Sequence, residues 1–181
     1  MDIATANAMT YQEFMDTFGN VVEKCPLITA AVWSKRPFDN FLQLENSVFD
    51  FIDALPTSGK QGVLRCHPDL AGRELLSGTL TAESRREQHQ AGLTSLKPEE
   101  RQELSQLNSS YKDKFGFPFV ICAKMSEKGK ILQQISERVQ NSPQQELCQG
   151  IEEVKKICHL RLQDIRSLAT PTSSLATPTK L

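Results

Sequence analysis

Pro143-Gln144-Gln145-Glu146-Leu147-Cys148-Gln149-Gly150-Ile151-Glu152-Glu153-Val154-Lys155-Lys156-Ile157-Cys158-His159-Leu160-Arg161-Leu162-Gln163-Asp164-Ile165-Arg166-Ser167-Leu168 places Leu147, Ile151, Val154, Cys158, Ile165 and Leu168 on one line at helical spacing. That period predicts a single long helix with one buried face. Ser142 ahead of Pro143 supplies a capping hydroxyl and a proline at the first helical position. Arg161 falls on the same buried line, where an unpaired guanidinium would cost several kcal/mol, as an order of magnitude. On the residues alone two roles stay open for it: pairing with a structural carboxylate, or gripping an anionic ligand through two parallel hydrogen bonds.

The helical period extends through the rest of the chain. Thr10-Tyr11-Gln12-Glu13 has the form of a capping box, and Phe14 and Phe18 share the face that follows. After Cys25-Pro26 a short apolar stretch runs to Trp33, ahead of Pro37. Phe41, Leu44, Val48, Phe51, Ile52 and Leu55 mark a helix that Pro56 closes; Thr57-Ser58-Gly59 is expected to turn, with a short segment leading to Cys66. Thr81 is a predicted cap for a polar helix through Gln90, with Gly92 near its end. Pro98 suits the first turn of a helix whose core face is Leu104, Leu107, Tyr111 and Phe115, stopped by Gly116. Residues 117–123 form an apolar run broken by Pro118, predicted to be extended, buried and in need of backbone partners. Ser126 is expected to open a helix through Ile131, Leu132, Ile135 and Val139. Strand-like alternation is scarce, so the expected fold is all-α: a single compact multi-helix domain over residues 1–168.

Charge and composition narrow the partners. Lys plus Arg number 21 and Asp plus Glu 22, a net charge of −1, which offers no basic field for nucleic acid. No apolar run approaches the ~20 residues of a membrane span, and the N-terminus lacks a secretory pattern, so a soluble intracellular protein is expected. Cys25, Cys66, Cys122, Cys148 and Cys158 are an odd set without CxxC spacing, expected as reduced, mostly buried thiols. His67, His89 and His159 lie in no metal-ligand spacing, and neither a phosphate-binding glycine loop nor a GxSxG elbow is present. His89 and His159 are expected on the surface.

Acid-base chemistry remains, and it centres on His67-Pro68-Asp69-Leu70-Ala71-Gly72-Arg73. Pro68 pushes His67 out of the helical region and holds the backbone that carries the imidazole. Gly72 permits an unusual angle or a close approach, and Asp69 and Arg73 can anchor the loop. The alternative is a helix end and turn that happen to contain a histidine. On the polar helix, Ser84, Glu87 and Gln88 emerge on one face. Together with Arg161 they would give His67 a carboxylate, hydrogen-bonding groups and an anion clamp.

Those residues carry a resemblance. Phe18-Gly19-Asn20, Cys25-Pro26-Leu27, Trp33-Ser34-Lys35-Arg36-Pro37-Phe38, His67-Pro68-Asp69-Leu70-Ala71-Gly72, Ser84 to Gln88, Phe115-Gly116-Phe117-Pro118-Phe119-Val120, Glu153-Val154-Lys155-Lys156-Ile157 and Leu160-Arg161-Leu162 occur in one order over most of residues 1–168. In this the chain resembles the 2-oxo-4-hydroxy-4-carboxy-5-ureidoimidazoline (OHCU) decarboxylases of urate degradation. The resemblance implies an all-helical homodimer, no metal or organic cofactor, and conversion of OHCU to (S)-allantoin and carbon dioxide. It implies His67 as the acid-base residue with Glu87 beside it, and substrate contacts at Pro68, Ser84, Gln88, Phe119, Val120, Ile121, Cys122, Ala123 and Arg161. The competing readings are a helical interaction module in which His67, Glu87 and Arg161 form a structural network, and an enzyme of a neighbouring ureido compound.

Leu168-Ala169-Thr170-Pro171-Thr172 is repeated as Leu175-Ala176-Thr177-Pro178-Thr179, so residues 169–181 are expected as a disordered tail. The tail ends in Thr179-Lys180-Leu181, one residue from the Ser-Lys-Leu peroxisomal address. A peroxisomal import receptor is therefore an expected partner, with the cytosol as the location otherwise.

Overall fold

The computed structural model describes residues 1–168. Among them are ten α-helices, two 3-10 turns and no strand: α1 (Ile3–Ala8), α2 (Tyr11–Phe18), α3 (Pro26–Trp33), α4 (Phe41–Ala54), α5 (Thr57–Arg65), α6 (Arg73–Ser77), α7 (Ala82–Gln90), α8 (Pro98–Phe115), α9 (Lys128–Arg138) and α10 (Pro143–Leu168), with 3-10 turns at Leu93–Ser95 and Ala123–Met125. The predicted tail and its Thr179-Lys180-Leu181 terminus lie outside the described residues.

The predicted long helix is α10, and it packs against α4, α5 and α8. Leu147, Ile151, Val154 and Cys158 are buried on it, as the spacing requires, joined by Ile157 and Leu162. Burying one such aliphatic side chain contributes about 1.5–3 kcal/mol, so this line contributes substantially to the core. At its start the Ser142 hydroxyl accepts the Gln145 N–H at 3.3 Å, while Gln145 Oε1 accepts the Ser142 N–H at 3.0 Å, a reciprocal cap. The Thr10–Glu13 capping box also forms.

Two short helices, α1 and α6, form where none was expected, and two helix boundaries differ from expectation. Thr57-Ser58-Gly59 is the first turn of α5, not a loop. Two glycines, Gly59 and Gly62, weaken its intrinsic signal, but burial of Val63 and Leu64 against α10 outweighs that preference. Gly150 makes the packing possible, since a Cβ there would stand 3.0 Å from the Leu64 side chain. Ser126 does not cap α9, which begins at Lys128 with Glu127 at the cap position and no side-chain cap. Ser126 instead closes the 3-10 turn, its N–H bonding the Ala123 carbonyl.

Residues 117–122 take neither helical nor strand structure, while Ala123, expected at the end of the extended run, opens the 3-10 turn Ala123–Met125. They are pinned by aromatic packing: the Tyr111 ring meets Phe115 at 4.6 Å and Phe119 edge-on at 5.3 Å. Of the five cysteines Cys122 and Cys158 are buried, Cys25 and Cys66 half-buried, and Cys148 exposed, so burial is less general than expected; all five are free thiols.

Candidate active site

His67 sits just beyond α5, whose end closes with the Cys66 and His67 N–H groups on the Val63 and Leu64 carbonyls. The loop that follows is held from two helices. Gln88 of α7 accepts the Ala71 N–H at 2.9 Å, and Asn108 of α8 donates to the Leu70 carbonyl at 2.9 Å. Asp69 pairs with Lys112 at 3.0 Å. No hydrogen bond or ion pair joins Arg73 to the loop among the described residues, so Gln88 and Asn108 take the anchoring role expected of it. The positive φ of the loop, 50°, falls on Ala71. Gly72 answers the other need, close approach: a Cβ there would stand 2.7 Å from the Asp69 Cβ.

The polar helix α7 buries Ser84 and Gln88, its inward face being polar because it lines a site. Glu87 lies between them, 17% exposed, and both its oxygens go to Arg161: Nε donates to Oε1 at 2.7 Å and Nη2 to Oε2 at 2.8 Å. Arg161 Nη1 donates to Glu23 at 2.8 Å and to the Asn20 carbonyl at 2.8 Å, and Nη2 reaches Ser84 Oγ at 3.3 Å. All five guanidinium N–H groups are thus occupied. Burial works against the charge, but Glu87 and Glu23 outweigh it and raise the guanidinium pKa above that of free arginine. The structural-carboxylate role left open for Arg161 is therefore real. Glu23, fully buried and also bonded by Thr81, was absent from the sequence reading because nothing in spacing links residues 23 and 161. Glu87, expected as the carboxylate that serves His67, has both oxygens committed to Arg161 instead.

His67 is buried, and its Nε2 has no hydrogen-bond partner. Burial, and after it the Arg161 charge, push its pKa down to about 3, so the ring is neutral near pH 7. His67, Pro68, Ser84, Glu87, Gln88, Phe119, Val120, Ile121 and Ala123 line one narrow pocket of about 30 Å³, together with Leu70 and Ile157. Gln88 Nε2 is likewise buried without a partner. Cys122 and Arg161 are not on its wall. The Cys122 N–H is taken up by Glu153 at 2.8 Å. Arg161 lines a larger basin of about 270 Å³ with Asn20, Arg86 and Lys124, and Glu87 borders both spaces. Among the described residues no group of three or more His, Cys, Asp or Glu gathers as a metal site would. His89 is exposed, as expected; His159, half-exposed, bonds Glu45 at 2.8 Å and Gln163 at 2.8 Å.

A family model for OHCU decarboxylase matches residues 7–163, which include every residue of this pocket. The chain belongs to the OHCU decarboxylase family. It is 61% identical over 165 residues to an OHCU decarboxylase of Xenopus laevis, covering 91% of this chain and 94% of that one. The corresponding protein of Mus musculus is 58% identical, over 91% and 93% of the two chains. A crystal structure described as OHCU decarboxylase in the presence of (S)-allantoin superposes with a TM-score of 0.67 at 23% identity, over 87% of this chain and 99% of that one, and shares the fold. As a member of the OHCU decarboxylase family, the chain is a decarboxylating lyase.

Proposed function

We propose that this OHCU decarboxylase converts OHCU to (S)-allantoin and carbon dioxide in urate degradation without a cofactor, with His67 as its acid-base residue. The observation that carries the assignment of His67 is a neutral imidazole, its Nε2 unpartnered, on the wall of a pocket that also holds Ser84, Glu87 and Gln88. The substrate supplies its own electron sink. Its carboxylate sits on a carbon next to a C=N bond, so the electron pair of the breaking C–C bond flows into that bond as carbon dioxide leaves. An enol-like intermediate remains, and it must gain a proton at carbon on one face, with one proton taken from solvent overall. A neutral His67 can accept the substrate hydroxyl proton and return it, while the walls fix the face and exclude water.

The free state must open for this to occur. A space of about 30 Å³ holds little more than a water molecule, and Arg161 has no free donor. In this reading the substrate carboxylate displaces Glu87 from Arg161, joining the pocket to the basin that Glu87 also borders, while the fully buried Glu23 keeps the guanidinium in place. Arg86 and Lys124 on the basin wall receive the displaced carboxylate. Cys122 contributes through its backbone position in the run Phe119, Val120, Ile121, Cys122, Ala123.

The test is circular dichroism of OHCU generated in place from urate. Rapid accumulation of (S)-allantoin with this protein, slowed about 10²-fold or more by His67→Asn, is the expected outcome. Slow racemic decay in the presence of folded protein would defeat the reading. A homodimer and an import receptor for Thr179-Lys180-Leu181 complete the proposal. The first is what the sequence resemblance implies, and Leu27 and Leu42, 73% and 62% exposed on α3 and α4, offer apolar surface for it; the second rests on the tripeptide alone.

A further inference from the structure

Phe119, Val120, Ile121 and Ala123 line the pocket, and two buried charged side chains decide which backbone groups of this run are left free. Arg138 of α9 donates from Nη1 to the Val120 carbonyl at 2.9 Å and lies 4.5 Å over the Phe119 ring. Its own position is fixed by Glu146 of α10, bonded at 2.7 Å, so this hold comes from two helices. Glu153 of α10, 7% exposed, accepts the Cys122 N–H at 2.8 Å. Its other oxygen is occupied by Gln149 at 3.1 Å and Lys156 at 2.7 Å.

The Val120 carbonyl and the Cys122 N–H, on either side of Ile121, are both taken up by these side chains. Neither Ile121 group bonds protein among the described residues, although the residue is only 6% exposed and lines the pocket. A buried, unpaired donor and acceptor on one residue match the C=O and N–H along one edge of a ureide.

We propose that Glu153 is a positioning residue of this enzyme: by holding the Cys122 N–H, in concert with Arg138 on the Val120 carbonyl, it fixes the run so that the Ile121 N–H and C=O serve as a paired contact for the ureide edge of the substrate. This rests on the decarboxylase reading and deepens it. Glu153 touches no substrate; it acts through the backbone of the next residue but one to Val120.

The test is steady-state turnover of OHCU by Glu153→Ala and Glu153→Gln, with far-UV circular dichroism as the folding control. A contact kept from bound substrate through the transition state predicts KM raised about tenfold in Glu153→Ala with kcat within about threefold. The amide oxygen of Glu153→Gln still accepts the Cys122 N–H, and Lys156, half-exposed, can swing away, so this variant should lie within about threefold of wild type in both constants. Loss of thermal stability in Glu153→Ala with unchanged KM and kcat would overturn the proposal. If Glu153→Ala does not fold, ¹H–¹⁵N spectra of the wild-type protein decide: (S)-allantoin should shift the Ile121 amide strongly, and an unmoved Ile121 amide would overturn it. Wild-type protein that leaves OHCU unconverted defeats the decarboxylase reading instead, so the two failures are distinct.

Discussion

At His67 a single buried ring couples chemistry to stability. Its folded pKa of about 3 lies below the 6.5 of an unperturbed histidine. Between those values the unfolded chain binds a proton that the folded one refuses, so stability falls as pH drops from 6.5 toward 3 and levels off below. The loss is on the order of a few kcal/mol. His67→Asn should remove this part of the acid limb, flattening thermal stability against pH between 6 and 4 while turnover is lost. An acid limb as steep as wild type would mean that the ring titrates freely in the folded protein. Arg161 is the opposite case. Its charge is bound into the fold through Glu23 and Glu87, so Arg161→Met leaves Glu23 buried and unpaired and should cost about 3–5 kcal/mol in denaturant unfolding, besides impairing catalysis. A loss under about 1 kcal/mol would place Glu23 in contact with water.

The contact between α5 and α10 is what delivers His67 to the pocket. Helix propensity favours Ala over Gly by about 1 kcal/mol, so Gly150→Ala would be stabilising if space allowed. Space does not allow it: the new Cβ would meet Leu64 at 3.0 and 3.1 Å, and Leu64 is fully buried with nowhere to move. Overpacking of this kind costs about 1–3 kcal/mol, so a lowered melting temperature is expected, with a fall in kcat if His67, at the end of α5, is the acid-base residue proposed above. Raised stability with full activity would show the two helices to be less tightly engaged. The longer helices were readable, because caps and apolar period are local, whereas the short α1 and α6 were not read. Thr10–Glu13, Ser142–Pro143 and the line from Leu147 to Cys158 formed as their spacing implied. α5 was not readable, since its two glycines mask a helix whose stability comes from α10.

The described residues, 1–168, contain all ten helices and the whole pocket. A protein ending at Leu168 should therefore keep its helical spectrum and its turnover of OHCU, while a fluorescent reporter carrying residues 169–181 should collect in peroxisomes. A diffuse reporter would reject the import proposal without touching the enzyme. Sedimentation should give twice the mass of one chain; a monomer at micromolar concentration would reject the dimer. The linear sequence by itself determined the all-helical class, the long core helix, the break in helix at residues 117–122 and the family, because periodicity, caps and ordered motifs are written in adjacent residues. Only the tertiary structure decided that Glu87 pairs with Arg161 rather than His67, that Glu23 completes the guanidinium's partners, and that Arg138 and Glu153 hold the wall of the pocket. Glu23 and Arg161 are 138 positions apart, and Val120 and Cys122 meet their anchors across 18 and 31. Such pairings follow from how buried charges find compensation once the helices are packed, and no local pattern encodes them.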